Sequence, residues 1–137
     1  MEKFKKGAVL ITGTTSGVGL NTLKPLIEFG WDIIAVNRSS KRAIDEANKI
    51  LKNNEIESIN FIEIDLSDLN SVRDGAKEIG TRFGNVLKVM ICNAAIYKPR
   101  LKRPERSSQG FENSMAVNHF GHFLPVSYTH LTLPTIE

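Results

Sequence analysis

Apolar and polar positions along the chain follow two alternating rhythms. Ala8 to Thr12 is an unbroken apolar run closed by Gly7 and Gly13, the pattern of a strand buried on both faces. From about Gly17 to Phe29 the apolar residues take helical spacing, and Gly30 offers the left-handed residue that ends a helix. Asp32 to Val36 predicts a second strand, after which Ser39 or Ser40 can cap a helix running to about Asn53. Ile59 to Ile64 reads as a third strand. Ser67 is then expected to cap a helix whose Leu69, Val72, Ala76, Ile79 and Phe83 recur every three to four residues. Val86 to Cys92 predicts a fourth strand, followed by a basic, proline-containing loop from Tyr97 to Gly110 and a helix from Phe111 towards Leu124. Pro25 falls inside the first helix, where a missing amide costs roughly 3 kcal/mol, so a kink is expected there. Strand and helix alternate without an internal repeat, which implies a parallel sheet.

Composition changes this picture little. The 137 residues have room for one domain, and 41% hydrophobic with 24% charged residues is the balance of a globular protein, not of a disordered or fibrous one. The uncharged stretch from Gly7 to Leu23 is broken by four glycines, so it does not predict a bilayer span. One cysteine, Cys92, allows no internal disulfide, and the N-terminus lacks the apolar core of a signal peptide. A reducing, cytoplasmic setting is expected. A net charge of +3 is too small to argue for nucleic acid by itself. Five basic residues and one acid between Lys98 and Arg106 concentrate the charge in one loop, but without interleaved aromatics beyond Tyr97. The reading is a solvated loop or one leaning on an acidic membrane surface, with no nucleic-acid partner.

The candidate chemistry begins between the first strand and the first helix. Thr12-Gly13-Thr14-Thr15-Ser16-Gly17-Val18-Gly19 spaces its glycines Gly-x3-Gly-x-Gly. That arrangement lets backbone approach a dinucleotide pyrophosphate, with helix N–H groups and the positive dipole end facing the negative charge. The competing role is a turn that only lets strand and helix pack. The expected fold is therefore α/β, a Rossmann-type doubly wound parallel sheet truncated after about four strands. The second strand ends Asn37-Arg38, with Lys41 and Arg42 one turn on. An acid there would hold ribose hydroxyls and repel a 2′-phosphate. Arg38 instead offers a planar fork for phosphate, which favours NADPH over NADH, unless these are solvated surface cations. Asp65 at the third strand end can hydrogen-bond an adenine amine while Leu66 packs on the ring, or Asp65 can serve as a turn acid. Asn93-Ala94-Ala95 leaves room for a cofactor ribose, and Asn93 can pin strand ends together or sit as a turn residue. His119 and His122 lie three apart, but no further ligand stands at suitable spacing, so no metal site is predicted.

The glycine motif, Asp65, Asn93-Ala94-Ala95 and Asn118 resemble the short-chain dehydrogenase/reductase family in order and in the elements they occupy. Within it, the wording Gly30-Trp31, Cys92-Asn93-Ala94-Ala95-Ile96-Tyr97, Gly110-Phe111-Glu112 and Asn118-His119-Phe120-Gly121-His122-Phe123-Leu124 resembles the light-dependent protochlorophyllide reductases. Retinol-dehydrogenase-like members share the last of these pieces. The resemblance implies hydride transfer from NADPH to a chlorophyll precursor after the pigment absorbs light. It also implies that Ser16, Gly17, Val18 and Gly19 line the pyrophosphate and that Arg38 and Arg42 hold the 2′-phosphate. Asn118 matches the family's active-site Asn. The alternatives are another NADP-dependent reductase or a non-catalytic NADP-binding module. Peripheral contact with photosynthetic membranes and self-association stay open.

The family's proton donor, a Tyr followed four residues on by a Lys, has no counterpart here. Tyr128 is followed at that distance by Thr132. Residues 1–124 are therefore expected to be the NADP-binding half of a Rossmann domain, inactive alone. The segment 125–137, whose prolines and β-branched residues do not continue an amphipathic helix, is similar to a translated sequencing adapter and is expected to be foreign.

Overall fold

The computed structural model describes residues 3–95. The basic loop, the helix expected from Phe111, Asn118, His119, His122 and the segment 125–137 lie outside the described residues. The described residues fall into two compact units, one of residues 3–64 with 86–94 and one of residues 65–85 with 95.

The first unit contains β1 (Ala8–Thr12), α1 (Gly17–Glu28), β2 (Asp32–Asn37), α2 (Ser40–Asn48), a single helical turn α3 (Asn53–Ile56) and β3 (Ile59–Glu63). The helix α4 (Leu69–Phe83) belongs to the second unit, and β4 (Leu87–Ile91) returns to the first. The four strands form a parallel sheet in the order β3-β2-β1-β4. This is the Rossmann-type arrangement expected, with the chain reversing its direction of travel across the sheet at β1.

Every residue of β1 and of β2 is buried, as their continuous apolar runs require. The core gathers Val9 and Ile11 of β1, Leu20 and Leu23 of α1, Ile33 and Ala35 of β2, Ala47 of α2, Leu51, and Ile59 of β3. Fully burying one such aliphatic side chain contributes about 1.5–3 kcal/mol. Asp32, an acid among these apolar residues, is buried too, and its Oδ2 accepts from the Phe4 amide at 2.7 Å. Among the described residues no helix is long and apolar enough to cross a membrane.

Two details differ from the expectation. The helix after β2 stops at Asn48 instead of running to about Asn53, because Ile50 and Leu51 both donate to the Ala47 carbonyl, at 3.1 and 2.9 Å. The tightened turn swings Leu51 into the core, and α3 restarts with Glu55 Oε1 accepting from the Lys52 amide at 2.9 Å. Asp68, not Ser67, caps α4, its carboxylate accepting from Asn70 N at 3.0 Å. The Ser67 hydroxyl is engaged elsewhere, on Asp65. Helix α1 runs on through Pro25, whose carbonyl accepts from Phe29 N at 3.0 Å.

Candidate functional site

Parallel strands bring their C-terminal ends to one edge of the sheet, and β1, β2 and β4 each deliver polar residues there. At the end of β1, Thr12 Oγ1 accepts from the backbone amides of Asn93 at 2.9 Å and Ala94 at 3.0 Å. Asn93 returns the contact by donating from Nδ2 to the Gly13 carbonyl at 3.0 Å. These bonds clasp the turn after β1 to the turn after β4. Asn93 thus fills the strand-pinning role that was one of its two readings.

A second clasp joins β1 to β2. The Thr14 amide donates to Asn37 Oδ1 and Asn37 Nδ2 donates to Thr14 Oγ1, both at 2.7 Å. Thr14 is fully buried and Asn37 nearly so, so each satisfies polar atoms of the other that water cannot reach. The last residue of β2 therefore fixes the glycine loop and, through the chain, the position from which Arg38 leaves the sheet.

The glycines do different work. A Cβ at Gly19 would lie 1.9 Å from the Gly13 carbonyl oxygen and 2.6 Å from Asn93 Nδ2, so only glycine lets α1 pack this closely on the loop. Gly17, with φ of 57°, needs glycine for its left-handed backbone, yet a Cβ there would meet nothing within 4 Å. Open space thus lies beside the first residue of α1. Ser16, the N-cap, makes no side-chain cap bond, the first turn carries no acid, and Ser16, Gly17 and Val18 are exposed. This helix end presents its amides outward, which suits an anion.

Arg38, Lys41 and Arg42 are exposed, and among the described residues none forms an ion pair. Ser39 caps α2, its Oγ accepting from Arg42 N at 3.3 Å. Asp65, Leu66 and Ala95 belong to the second unit. There Asp65 Oδ1 accepts from the amide and hydroxyl of Ser67, at 3.0 and 2.6 Å, so the acid closes a turn ahead of α4. Leu66 is buried. Cys92, next to Asn93, is exposed, and partial desolvation pushes its thiol above the ordinary value of 9.0, so it stays protonated at neutral pH. Among the described residues no cluster of His, Cys, Asp and Glu could hold a metal. The first unit thus brings together the loop Gly13 to Gly19, Asn93, Ala94 and the Asn37-Arg38 corner. Thr12 as a double acceptor and the Asn37–Thr14 pair were not anticipated. Their signal was polar residues closing otherwise apolar strands.

The short chain dehydrogenase family model matches residues 7–134. The chain belongs to the short-chain dehydrogenase family. Within that family it is 41% identical over 125 residues to the chloroplastic protochlorophyllide reductase of Cucumis sativus, covering 88% of this chain and 30% of that protein. The corresponding enzyme of Chlamydomonas reinhardtii is 37% identical over 121 residues, again with 88% and 30% covered. The chain thus spans about a third of the length of these curated relatives. Among solved structures it is similar to an uncharacterized protein of Mycobacterium paratuberculosis, with a TM-score of 0.74 and 27% identity over 96% of this chain and 44% of that one. A 3-ketoacyl-(acyl-carrier-protein) reductase of Brucella melitensis, solved with NADH, shares the fold at a TM-score of 0.70 and 21% identity, over 95% and 51% of the two chains.

Proposed function

We propose that this chain is the dinucleotide-binding part of an NADPH-dependent reductase of the protochlorophyllide type. The observation that carries the proposal is the clasped glycine loop. Its open side at Gly17 faces outward from a helix end whose N-cap side chain makes no cap bond, and Arg38 and Arg42, in no ion pair among the described residues, follow the neighbouring strand. Gly13, Thr15, Ser16, Gly17, Val18 and Gly19 would hold the pyrophosphate through backbone amides, and Asn93 and Ala94 would border the ribose. Arg38 and Arg42 would take the 2′-phosphate. Asp65 and Leu66 for the adenine, Ala95 beside Ala94, and Asn118 for the reacting end are assigned by the family resemblance. When bound, NADPH supplies the hydride. This chain's own contribution is to bind and orient it, since no Tyr-x-x-x-Lys occurs in its 137 residues to hold and deliver the proton. The pigment as substrate is supported by the names of the relatives that are about 40% identical.

Two measurements test the reading. Titration of the full chain with NADPH and NADH, followed by nicotinamide fluorescence, should show saturable uptake with NADPH preferred. Absence of saturation by either would overturn it. A chimera joining residues 1–124 to the C-terminal part of the Cucumis sativus relative should consume protochlorophyllide only under illumination. Dark reduction of a carbonyl compound instead would assign the chain to another short-chain reductase.

A further inference from the structure

We propose that Glu63 is a second determinant of which dinucleotide this chain accepts, and that it acts against Arg38. The inference rests on the NADPH reading above and adds a specificity residue to the same site. An acid at the end of β2 is what would favour NADH in such a fold, and β2 here ends in Asn37 and Arg38 without one. The neighbouring strand supplies it. In the parallel ladder Asn37 pairs with Glu63, so a carboxylate stands on the same rung, one strand across. The pairing is held by the Ile64 amide, which donates to the Asn37 carbonyl at 3.0 Å.

The Glu63 carboxylate is tied to the corner that would read the phosphate. Its Oε1 accepts from the backbone amide of Ser40, the first residue of α2, at 3.0 Å. Ser40 follows Arg38 by two residues, a span of at most about 7 Å along the chain. That is within about one Debye length at physiological salt, so the charge is felt at the Arg38 corner. Among the described residues no ion pair joins Glu63 to Arg38, Lys41 or Arg42. Its carboxylate is therefore not tied up in an ion pair with the cations that would receive a 2′-phosphate. An incoming phosphate meets attraction from the arginines and repulsion from Glu63, whereas the uncharged ribose hydroxyls of NADH meet only a hydrogen-bond acceptor. Glu63 thus narrows the gap between the two dinucleotides.

The substitution E63Q separates charge from capping, because the Gln amide oxygen can still accept from Ser40 N. Dissociation constants of the full chain for NADPH and NADH should be measured by nicotinamide fluorescence for the native sequence, E63Q and E63A. In E63Q the preference for NADPH over NADH should rise about five-fold at low salt and shrink towards the native ratio at about 0.5 M salt, where exposed charges are screened. E63A, which removes charge and acceptor together, should raise the same ratio. If Glu63 only caps α2, E63Q will leave the ratio unchanged and E63A will weaken both dinucleotides alike, and either result overturns the proposal. Uptake of both dinucleotides with an unmoved ratio would sink the role of Glu63 alone. Uptake of neither by the native chain would sink the reading of the site together with it.

Discussion

Arg38 and Asn37 are adjacent in sequence but carry different kinds of energy. Arg38 is exposed and unpaired among the described residues, so its removal should leave the fold intact and be felt in ligand binding. A charge-assisted bond to phosphate is worth about 1.5–3 kcal/mol, so R38A should weaken NADPH by roughly ten- to a hundred-fold and NADH by little. Equal losses for both would show that Arg38 does not read the phosphate. Asn37 is buried, and its truncation strands the Thr14 amide and hydroxyl away from water. Each buried polar group left unsatisfied costs about 1–3 kcal/mol, so N37A should lower the urea midpoint by an amount in that range or above it. The same variant should also loosen dinucleotide binding, because the glycine loop loses its tie to β2. An unchanged midpoint would mean that water or a shifted neighbour replaces the pair.

The start of α2 offers two serines, and their chemistry alone does not choose between them. The structure gives the N-cap to Ser39, whose hydroxyl accepts from Arg42 N, and gives the Ser40 amide to Glu63. Loss of a serine N-cap costs about 1 kcal/mol, so S39A should destabilise by that much while S40A should fall within about 0.5 kcal/mol of the native chain. Comparable losses from both, read by thermal melts, would place the cap elsewhere. At α4 the choice is made by a competing side-chain bond. Ser67 and Asp68 can both cap, and Ser67 is drawn off because Asp65 accepts from both its amide and its hydroxyl.

At the scale of the first unit, ligand and fold are coupled, because Gly13, Asn93 and Ala94, which are among the residues proposed to bind the dinucleotide, also take part in the bonds that tie the β1 and β4 ends together. NADPH should therefore raise the melting temperature of the full chain, with about 2.7 kcal/mol of added stability at a hundred times its dissociation constant. In R38A the same NADPH concentration should give a markedly smaller rise, and an identical rise would break the link between that residue and the bound phosphate. The element pattern was legible because a buried strand and an amphipathic helix each write their own period into the chain, and these periods need no knowledge of partners. The glycine spacing and the missing acid after β2 were legible for the same reason, being local properties of one turn each. Which side chains meet was not. Asn93 reaches the Gly13 carbonyl across 80 residues only because the strand order places β4 beside β1. Glu63 reaches Ser40 only because β3 lies beside β2 in the register that pairs it with Asn37. The sequence by itself determined the elements, the turn that can face an anion and the cations that can read a phosphate. Strand order and register, set by how the apolar faces pack together, decided which polar residues hold that turn in place and which carboxylate stands beside those cations.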